Sequence, residues 1–283
     1  MARIAVVTDS TCDLDKATLV KYGIRMVPLS VHFEDEVLKD HVEISSEEFF
    51  ARLPKERVIP RTAQPAPGEF LATYHALRDE GYEQVVSVHI SQKLSGTYQS
   101  AQVARGMAEG IEVRVVDTQS ASWGVGWCAI EAARAAAAGQ SLDEVVARAE
   151  AVSARMQIFF VVDTLEYLEK NGRIGKAQAF LGTLLRFKPV LALEDGIIVP
   201  VERIRGRSRV LSRLVEIFEE QAEDAPNVVT VVHTQAEAQA RELAARLQEN
   251  PKVKSVNIGT LGPVIGCHVG PGVVGMSFYA PNW

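Results

Sequence analysis

The amino-acid sequence predicts an α/β protein with two domains. Residues 1–155 are expected to form a three-layer α/β/α domain around a parallel sheet, and residues 156–283 a two-layer α+β domain around a mixed sheet. Three observations lead to this prediction. The chain has 283 residues, which is long for one hydrophobic core. Short β-branched runs alternate with helical stretches in the first half, and a hairpin signal appears in the second.

Each β-branched run of the first domain is followed by a helical stretch, and this alternation predicts a parallel, doubly wound sheet. The predicted strands include Arg3–Val7, Gln84–His89 and Glu112–Val116, and the helical stretches that alternate with them include Asp13–Tyr22, Pro67–Glu80 and Ser95–Glu109. A further helix is predicted over Gly126–Ala138, ending at Gly139. Ser141 and Glu144 form a capping box that starts the last helix of this domain.

The pattern changes after residue 155. Glu194-Asp195-Gly196 lies between two β-branched runs, Pro189–Leu193 and Ile197–Val201, and this predicts a β-hairpin. The other predicted strands are Ile158–Val162, Val228–His233, Val253–Thr260 and Val273–Tyr279, and the predicted helices are Thr164–Lys170, Lys176–Leu185, Val210–Glu223 and Gln235–Asn250.

Composition and charge exclude several classes of protein. The chain has 30 Lys and Arg against 36 Asp and Glu, a formal net charge of -6, so no general basic field exists to hold nucleic acid. Cys12, Cys128 and Cys267 lie far apart and form no CxxC or CxxH pair, so neither a disulfide framework nor a metal site is expected. No apolar run is long enough for a signal peptide or a membrane span. We expect a protein of the reducing cytoplasm.

The strongest local signal for a ligand is Ser91–Tyr98, which follows a predicted strand and opens a helix at the carboxyl end of the parallel sheet. Ligands bind at that position in open α/β folds. Free backbone N–H groups and the helix dipole suit an anion, and Ser95 and Thr97 add hydroxyl donors. An N-cap serine and a tight-turn glycine explain the same residues without a ligand.

Two further segments present polar side chains. Asp9-Ser10-Thr11 follows the first strand, so its hydroxyls are candidates for the same crevice, although helix capping alone would explain them equally well. Arg61–Phe70 contains two prolines and a glycine beside a hydroxyl and an amide, which predicts a stiff loop with polar tips.

The segment Gly262–Gly272 holds four glycines and two prolines, which disfavours regular structure and predicts a loop whose backbone approaches a partner closely. Besides Cys267, the titratable side chain of this segment is His268. A histidine there suits a general base, a metal ligand or a hydrogen-bond donor to an anion. Because no second ligand lies at metal-binding spacing, a zinc site is rejected.

Two groups of arginines are candidates for contact with a carboxylate or phosphate. Arg173 lies between Gly172 and Gly175. Four further arginines alternate along the chain, and an extended segment would place all of them on one face: Arg203, Arg205, Arg207 and Arg209. A solvated charged sheet edge is the other explanation of this pattern.

Taken together and in order, these motifs resemble the DegV family of bacterial fatty-acid-binding proteins, including the members called FakB. The motifs that carry the resemblance are Asp9-Ser10-Thr11, Thr62-Ala63-Gln64-Pro65 with Pro67-Gly68-Glu69-Phe70, Ser91–Tyr98, Leu165–Leu168 with Gly172-Arg173-Ile174-Gly175, Pro189, Arg205-Gly206 and Gly266–Gly272. The resemblance implies a protein that sequesters a long-chain fatty acid between its domains. It also implies a separate ATP-dependent kinase subunit that makes the acyl phosphate, with only transient membrane contact.

The resemblance further implies which residues meet the fatty acid. Thr62, Ser95 and His268 would surround the carboxylate, with the amide of Gly96. The candidates for further contact with the head group or with the kinase are Ser10, Arg173 and Arg205. Two departures from the family pattern are Ala63, where a serine is common, and Val269, where a threonine is usual. Each removes a hydroxyl near the expected head-group site.

Physical chemistry divides the work between the two ends of such a ligand. Burial of an acyl tail gains about 0.8 kcal/mol per methylene, whereas burial of a carboxylate is unfavourable unless donors meet it. The tail should therefore supply most of the affinity, and the head group should determine the orientation of the ligand. Candidates for the tunnel lining are Phe180, Leu181, Leu184, Leu185 and Phe187, with Ile158–Val162, although ordinary core packing would also account for them.

Two other functions remain open. In an acyl hydrolase, Ser95 would be the nucleophile and His268 the base, although a GxSxG elbow is absent from the sequence. In a small-carbonyl site like that of dihydroxyacetone kinases, His268 would bind its substrate covalently. The sequence contains no GxxxxGK[ST] motif, so we expect neither an ATP site nor an enzyme acting alone.

Overall fold

The computed structural model describes residues 3–182 and 187–283. Its strands are β1 (Ile4–Asp9), β2 (Ile24–Val27), β3 (Ser30–His32), β4 (Val37–Lys39), β5 (Arg61–Ala63), β6 (Gln84–His89), β7 (Glu112–Asp117), β8 (Gln157–Val161), β9 (Phe187–Glu194), β10 (Ile197–Arg205), β11 (Asn227–His233), β12 (Val253–Thr260) and β13 (Val274–Tyr279). Its helices are α1 (Lys16–Tyr22), α2 (Ser46–Arg52), α3 (Pro67–Asp79), α4 (Thr97–Met107), α5 (Trp123–Ala137), α6 (Leu142–Arg155), α7 (Glu166–Lys170), α8 (Val210–Gln221), α9 (Glu237–Gln248) and α10 (Pro263–Val269).

The first sheet contains four parallel strands in the order β2-β1-β6-β7. Helices α5 and α6 pack on one face, and α3 and α4 pack on the other. Because both faces are covered, consecutive residues of a strand are buried in different cores, as Val85 and Val86 of β6 are. The predicted three-layer α/β/α arrangement is confirmed.

The second sheet contains six strands in the order β10-β9-β8-β13-β11-β12, of which β11 and β12 are parallel and the other neighbours antiparallel. Helices α8 and α9 cover one face. The predicted mixed sheet is therefore confirmed. The predicted hairpin is also present, since Ile197 pairs with Glu194, and Asp195 and Gly196 take the positive φ angles of 49° and 75° that a tight hairpin turn needs.

A small third sheet, in the order β4-β3-β5, is absent from the sequence-based prediction. Each of its strands has three residues, which is too short for a period of two to be recognised. The sheet and α2 pack against α10, where Phe49 and Phe50 meet Val264 and Cys267 in one core. This lobe therefore supports the helix that carries His268.

The glycine-rich segment predicted as a loop is in fact helical, and that prediction is wrong. Gly262 is the N-cap of α10, Pro263 occupies the first turn and Gly270 ends the helix with a φ of 73°. Inside the helix, a Cβ at Gly266 would lie 2.8 Å from Phe50 and 2.9 Å from Phe49. Glycine is therefore required there for close packing against α2 rather than for an open backbone.

Three other predicted elements have different limits. Helix α1 begins at Lys16 because Asp13 has a positive φ of 52° and the side chain of Asp15 caps the helix. Strand β10 ends at Arg205 and a 3-10 turn follows, so the four alternating arginines do not share one strand. Residues 175–180 form a 3-10 turn in place of the first part of the predicted helix Lys176–Leu185, whose end lies outside the described residues.

The two halves of the chain are packed together through polar and apolar contacts. The indole Nε1 of Trp127 in α5 donates to Thr230 Oγ1 in β11 at 2.9 Å. Tyr279 of β13 lies in the same core as α5 and α6. The division into domains at residue 155 stays a prediction. Within residues 3–182 and 187–283, no helix is long and apolar enough to cross a membrane.

A buried chain of polar side chains fixes β1 to β6. Asp9 accepts hydrogen bonds from the backbone N–H of Thr11 at 3.0 Å and, through its other oxygen, contacts His89 Nδ1 at 2.9 Å. His89 Nε2 contacts Ser87 at 2.7 Å, and Ser87 contacts the Tyr74 hydroxyl at 2.8 Å. All five residues are fully buried, so each polar group depends on its neighbour for a partner.

Replacement of Asp9 by alanine should destabilise the protein by about 3–5 kcal/mol, because His89 and the N–H of Thr11 would lose their buried acceptor. The measurement is the free energy of unfolding from urea denaturation. As a control, Asp79→Ala removes a carboxylate that is 69% exposed and should cost less than about 0.5 kcal/mol. Equal losses of unfolding free energy for the two variants would show that the buried hydrogen bonds of Asp9 contribute no more to stability than an exposed carboxylate does.

Candidate functional site

An apolar cavity lies between the first and second sheets, beside the carboxyl ends of β1 and β6. The space between its walls is about 840 Å³, including open solvent at its mouth. Its apolar lining comes from both halves of the chain: Leu29, Ile90, Leu94, Ala121, Ile158, Phe160, Leu168, Leu193, Ile198, Val232, Leu261, Val264, Ile265, Val269 and Val273.

Four polar side chains predicted from the sequence line this cavity together, namely Thr62, Ser95, Arg173 and His268. Thr62 lies in β5, Ser95 in the turn before α4, Arg173 in the loop after α7 and His268 in α10. Four separate segments therefore contribute polar side chains to the wall of one cavity. Each side chain is half-buried.

His268 is held next to Thr62, with 2.9 Å between its Nε2 and the Thr62 hydroxyl oxygen. Burial, and secondarily the positive charge of Arg173, lower the pKa of His268 to about 4. The imidazole is therefore neutral at pH 7. Its Nδ1 is buried without a hydrogen-bond partner among the described residues, which is uncommon for a buried polar atom.

Ser95 contacts Thr97 across the start of α4, with 2.9 Å between the two hydroxyl oxygens. This contact differs from the one a hydrolase requires, because within the described chain the hydroxyl of Ser95 is not bonded to His268. Gly96 is the N-cap of α4 and lies beside the cavity lining. A Cβ at Gly96 would lie 2.8 Å from Nε2 of Gln64, so glycine allows the β5–α3 loop to approach α4.

Arg173 is fixed by backbone carbonyls. Its Nε donates to Leu94 O at 3.0 Å and its Nη1 to Asn171 O at 2.8 Å. Neither bond neutralises the charge, and Arg173 makes no ion pair with a carboxylate in the described part of the chain. The guanidinium thus brings a positive charge to the cavity wall, and such a group is able to pair with a carboxylate or phosphate.

Two other predicted contacts lie away from the cavity wall. Ser10 is fully buried, and its hydroxyl oxygen accepts a hydrogen bond from Leu29 N at 3.0 Å, so it is committed to the fold. Arg205 is exposed at the end of β10. The residue of the Asp9-Ser10-Thr11 motif that lines the cavity is Thr11.

Thr11 lines the cavity, as expected for a hydroxyl of the Asp9-Ser10-Thr11 motif, and Ser122 is a cavity residue that no sequence motif indicates. Their hydroxyls donate to Asp9 and Asp13 respectively. Asp13 also accepts from the N–H of Gly262 at 2.9 Å, which attaches the start of α10 to the first half of the chain. The signal for Ser122 is conformational, a positive φ of 52°, and cannot be read from the sequence.

A second histidine lies beside this network. Burial acts to lower the pKa of His41, but the carboxylates of Asp13 and Asp40 outweigh it and raise the pKa to about 9. His41 is therefore positively charged at pH 7, close to the start of α10. Within the described residues, no cluster of three or more His, Cys, Asp or Glu side chains is able to hold a metal ion.

The β9–β10 hairpin closes the cavity from the second half of the chain. Leu193 and Ile198 of the hairpin line the wall. At its turn, Gly196 O accepts from the Ser91 hydroxyl and Asp195 O accepts from Lys93 Nζ, each at 2.8 Å. The wall of the cavity is thus attached to the segment that carries Ser95.

The predicted tunnel lining is right in part. Ile158 and Phe160 line the cavity. Leu181 packs in the core behind it, and Phe187 is 37% exposed at the start of β9. Leu184 and Leu185 lie outside the described residues. Of the two departures from the family pattern, Val269 lines the cavity, whereas Ala63 pairs with Ser30 in the small sheet.

Comparisons with known proteins place this chain in a family. Residues 3–281 match the family model described as "Uncharacterised protein, DegV family". A DegV domain-containing protein of Halalkalibacterium halodurans is 40% identical over 280 residues, which are 99% of each chain.

Solved structures agree in fold. A DegV family protein from Thermus thermophilus, described as fatty acid binding, superimposes with a TM-score of 0.93 at 38% identity over 98% of this chain and 99% of that one. DegV of Bacillus subtilis, described as a fatty acid binding protein, superimposes with a TM-score of 0.90 at 33% identity over 99% and 100% of the two chains. The protein therefore belongs to the DegV family.

Proposed function

We propose that this protein binds a long-chain fatty acid, with the acyl tail in the apolar cavity and the carboxylate beside Thr62, Ser95, Arg173 and His268. The single observation that carries the proposal is the presence of these four polar side chains on the wall of one mainly apolar cavity. The fatty acid binding described for the related proteins from Thermus thermophilus and Bacillus subtilis supports it.

The energetics of the cavity suit such a ligand. Transfer of the 14 methylenes of palmitate from water gains roughly 11 kcal/mol at about 0.8 kcal/mol each, before the losses of entropy on binding. A carboxylate in the same environment needs donors and a positive charge. Because His268 is neutral, Arg173 supplies that charge, while Thr62 and Ser95 supply hydroxyl donors.

The proposal includes a carrier role. The carboxylate would lie among half-buried side chains, where a second protein can reach it. Exposed Arg61 precedes Thr62 and lines a separate surface depression together with exposed Arg57. We assign the phosphoryl transfer to a separate ATP-dependent fatty acid kinase, with the protein acting in the cytoplasm and touching membranes only transiently. The chain itself would perform no chemistry and would need no cofactor besides the bound fatty acid.

Protein purified from a bacterial host should carry fatty acid. Native mass spectrometry of the untreated protein is expected to show a mass increase that organic extraction removes and that palmitate or oleate restores, because the apolar cavity favours an acyl chain over water. Repeated preparations that are free of lipid and also fail to bind added palmitate and oleate would contradict the proposal.

Replacement of Arg173 by methionine should distinguish the contribution of the carboxylate to binding affinity from that of the acyl tail. We expect palmitate affinity to fall about 10- to 100-fold, because a charge-assisted hydrogen bond is lost, and affinity for hexadecanol to change less than about 2-fold. Titration calorimetry measures both. Arg25→Met, at an exposed arginine paired with Glu80, is the matched control and should bind both ligands like the unchanged protein. A parallel loss for palmitate and hexadecanol would remove Arg173 from the head-group site.

The kinase step has its own assay. Palmitate bound to this protein should be converted to the acyl phosphate when ATP and a bacterial fatty acid kinase are both present, and not with ATP alone, since the sequence has no phosphate-binding loop of its own. The readout is hydroxamate formation from the acyl phosphate. Product formed by this chain and ATP without a kinase would overturn the carrier role, and so would ester hydrolysis that Ser95→Ala abolishes.

A further inference from the structure

One short segment of the second half of the chain contacts the loops that lead into three of the four head-group residues. Asn171 Nδ2 donates to Pro60 O at 3.3 Å and to Cys267 O at 2.8 Å. Arg173 Nε donates to Leu94 O at 3.0 Å. Asn171 and Arg173 are separated by a single glycine, so both donors come from one turn.

Each accepting carbonyl lies just before a residue of the head-group site. Pro60 precedes Thr62 by two residues, Cys267 immediately precedes His268, and Leu94 immediately precedes Ser95. The backbone carbonyls are therefore fixed close to the three side chains whose relative positions define the site. Asn171 bonds to the carbonyls that lie close to Thr62 and His268 in the chain, and the side chains of these two residues contact each other at 2.9 Å.

The chemistry of Asn171 matches this placement. Its two partners are carbonyl oxygens, which only accept, so the side-chain NH2 with its two donors is the group that satisfies both. An aspartate of the same shape has no donor to offer and would face two acceptors instead. The requirement is thus for an amide at this position and not merely for a side chain of this volume.

The turn that carries Asn171 is itself anchored. Helix α7 ends at this residue, whose N–H donates to Tyr167 O at 3.1 Å, and Leu168 of the same helix is fully buried. Gly172 has a φ of 70°, a conformation that favours glycine and reverses the chain between Asn171 and Arg173. The donors are therefore presented from a fixed element to the loops that approach it.

We propose that Asn171 is a positioning residue, which sets the spacing of Thr62 and His268 through the carbonyls of Pro60 and Cys267 and so makes the site selective for a carboxylate. This inference rests on the proposed fatty-acid function. Asn171 lies outside the lining of the cavity and acts through its neighbours. Replacement of Asn171 should therefore weaken the binding of the carboxylate and leave the binding of the acyl tail unchanged.

The test compares Asn171→Ala, Asn171→Asp and Asn171→Ser with the unchanged protein, using palmitate and hexadecanol as probes. Removal of both donors in the alanine and aspartate variants should weaken palmitate at least about 10-fold and hexadecanol less than about 2-fold. The serine variant keeps one donor and should be intermediate. Asn282→Ala, at an exposed asparagine bonded to Glu223, is the control.

A second readout needs no ligand. Because burial lowers the pKa of His268 to about 4, a site loosened by Asn171→Ala should admit water and raise this pKa toward its ordinary value of about 6.5. Titration of the histidine resonances by NMR down to the lowest pH at which the protein stays folded measures it. Thermal melting shows whether each variant is folded, and Asn171→Ser serves if the alanine variant is not.

The outcomes separate this inference from the proposed function. If the unchanged protein does not bind palmitate, the proposed function is wrong, while the titration of His268 still decides whether Asn171 positions it. If palmitate binds but the variants weaken both probes equally, or weaken neither, with His268 titrating as before, then Asn171 is a structural residue and the inference is overturned.

Discussion

The contact between Thr62 and His268 is the interaction on which the candidate site depends. The two residues are 206 positions apart in the chain, and their hydrogen bond joins β5 of the small sheet to α10. It occurs in an environment that disfavours charge, so the imidazole stays neutral and its second nitrogen is left without a partner in the described structure. A buried polar atom without a partner is unfavourable unless a ligand or water meets it. The unpartnered nitrogen is therefore one reason for proposing a polar ligand at this position.

Helix α10 reaches this position because two different kinds of contact hold it. On one side, Gly266 allows Phe49 and Phe50 of α2 to approach the helix backbone closely, which fixes the small lobe to it. At its start, the N–H of Gly262 donates to the buried carboxylate of Asp13, which also accepts from Ser122 in the cavity wall. Apolar packing sets the distance of the helix from the lobe, and hydrogen bonds set its register against the first sheet. A helix of seven residues would not be stable without such contacts.

Much of the fold follows from local sequence patterns, and the rest depends on contacts between distant residues. The alternation of strands and helices gave the parallel sheet, and an acidic turn ending in glycine gave the hairpin, because periodicity and turn chemistry act over a few residues. The small sheet was missed since its three-residue strands show no period. The need for Gly266 lies in residues of α2, more than 200 positions earlier, so its helix was taken for a loop. Local signals indicated Ser95, Arg173 and His268, and the resemblance to a family grouped them with Thr62, whereas nothing local distinguishes Thr11 from Ser10.

The arrangement explains why orientation and affinity can be supplied by different parts of one cavity. The apolar wall has no directional preference, so it would hold an acyl chain in either sense. In the proposed complex Arg173 would remove this symmetry, since it is the charged side chain of the lining and two backbone carbonyls fix its direction. The hairpin turn bonds to Ser91 and Lys93, in the same segment as Ser95, so the apolar wall and the polar site are parts of one connected structure. A change that moves the hairpin must therefore act on both ends of a bound ligand, and the separation of head-group and tail effects holds only for substitutions that leave this connection intact.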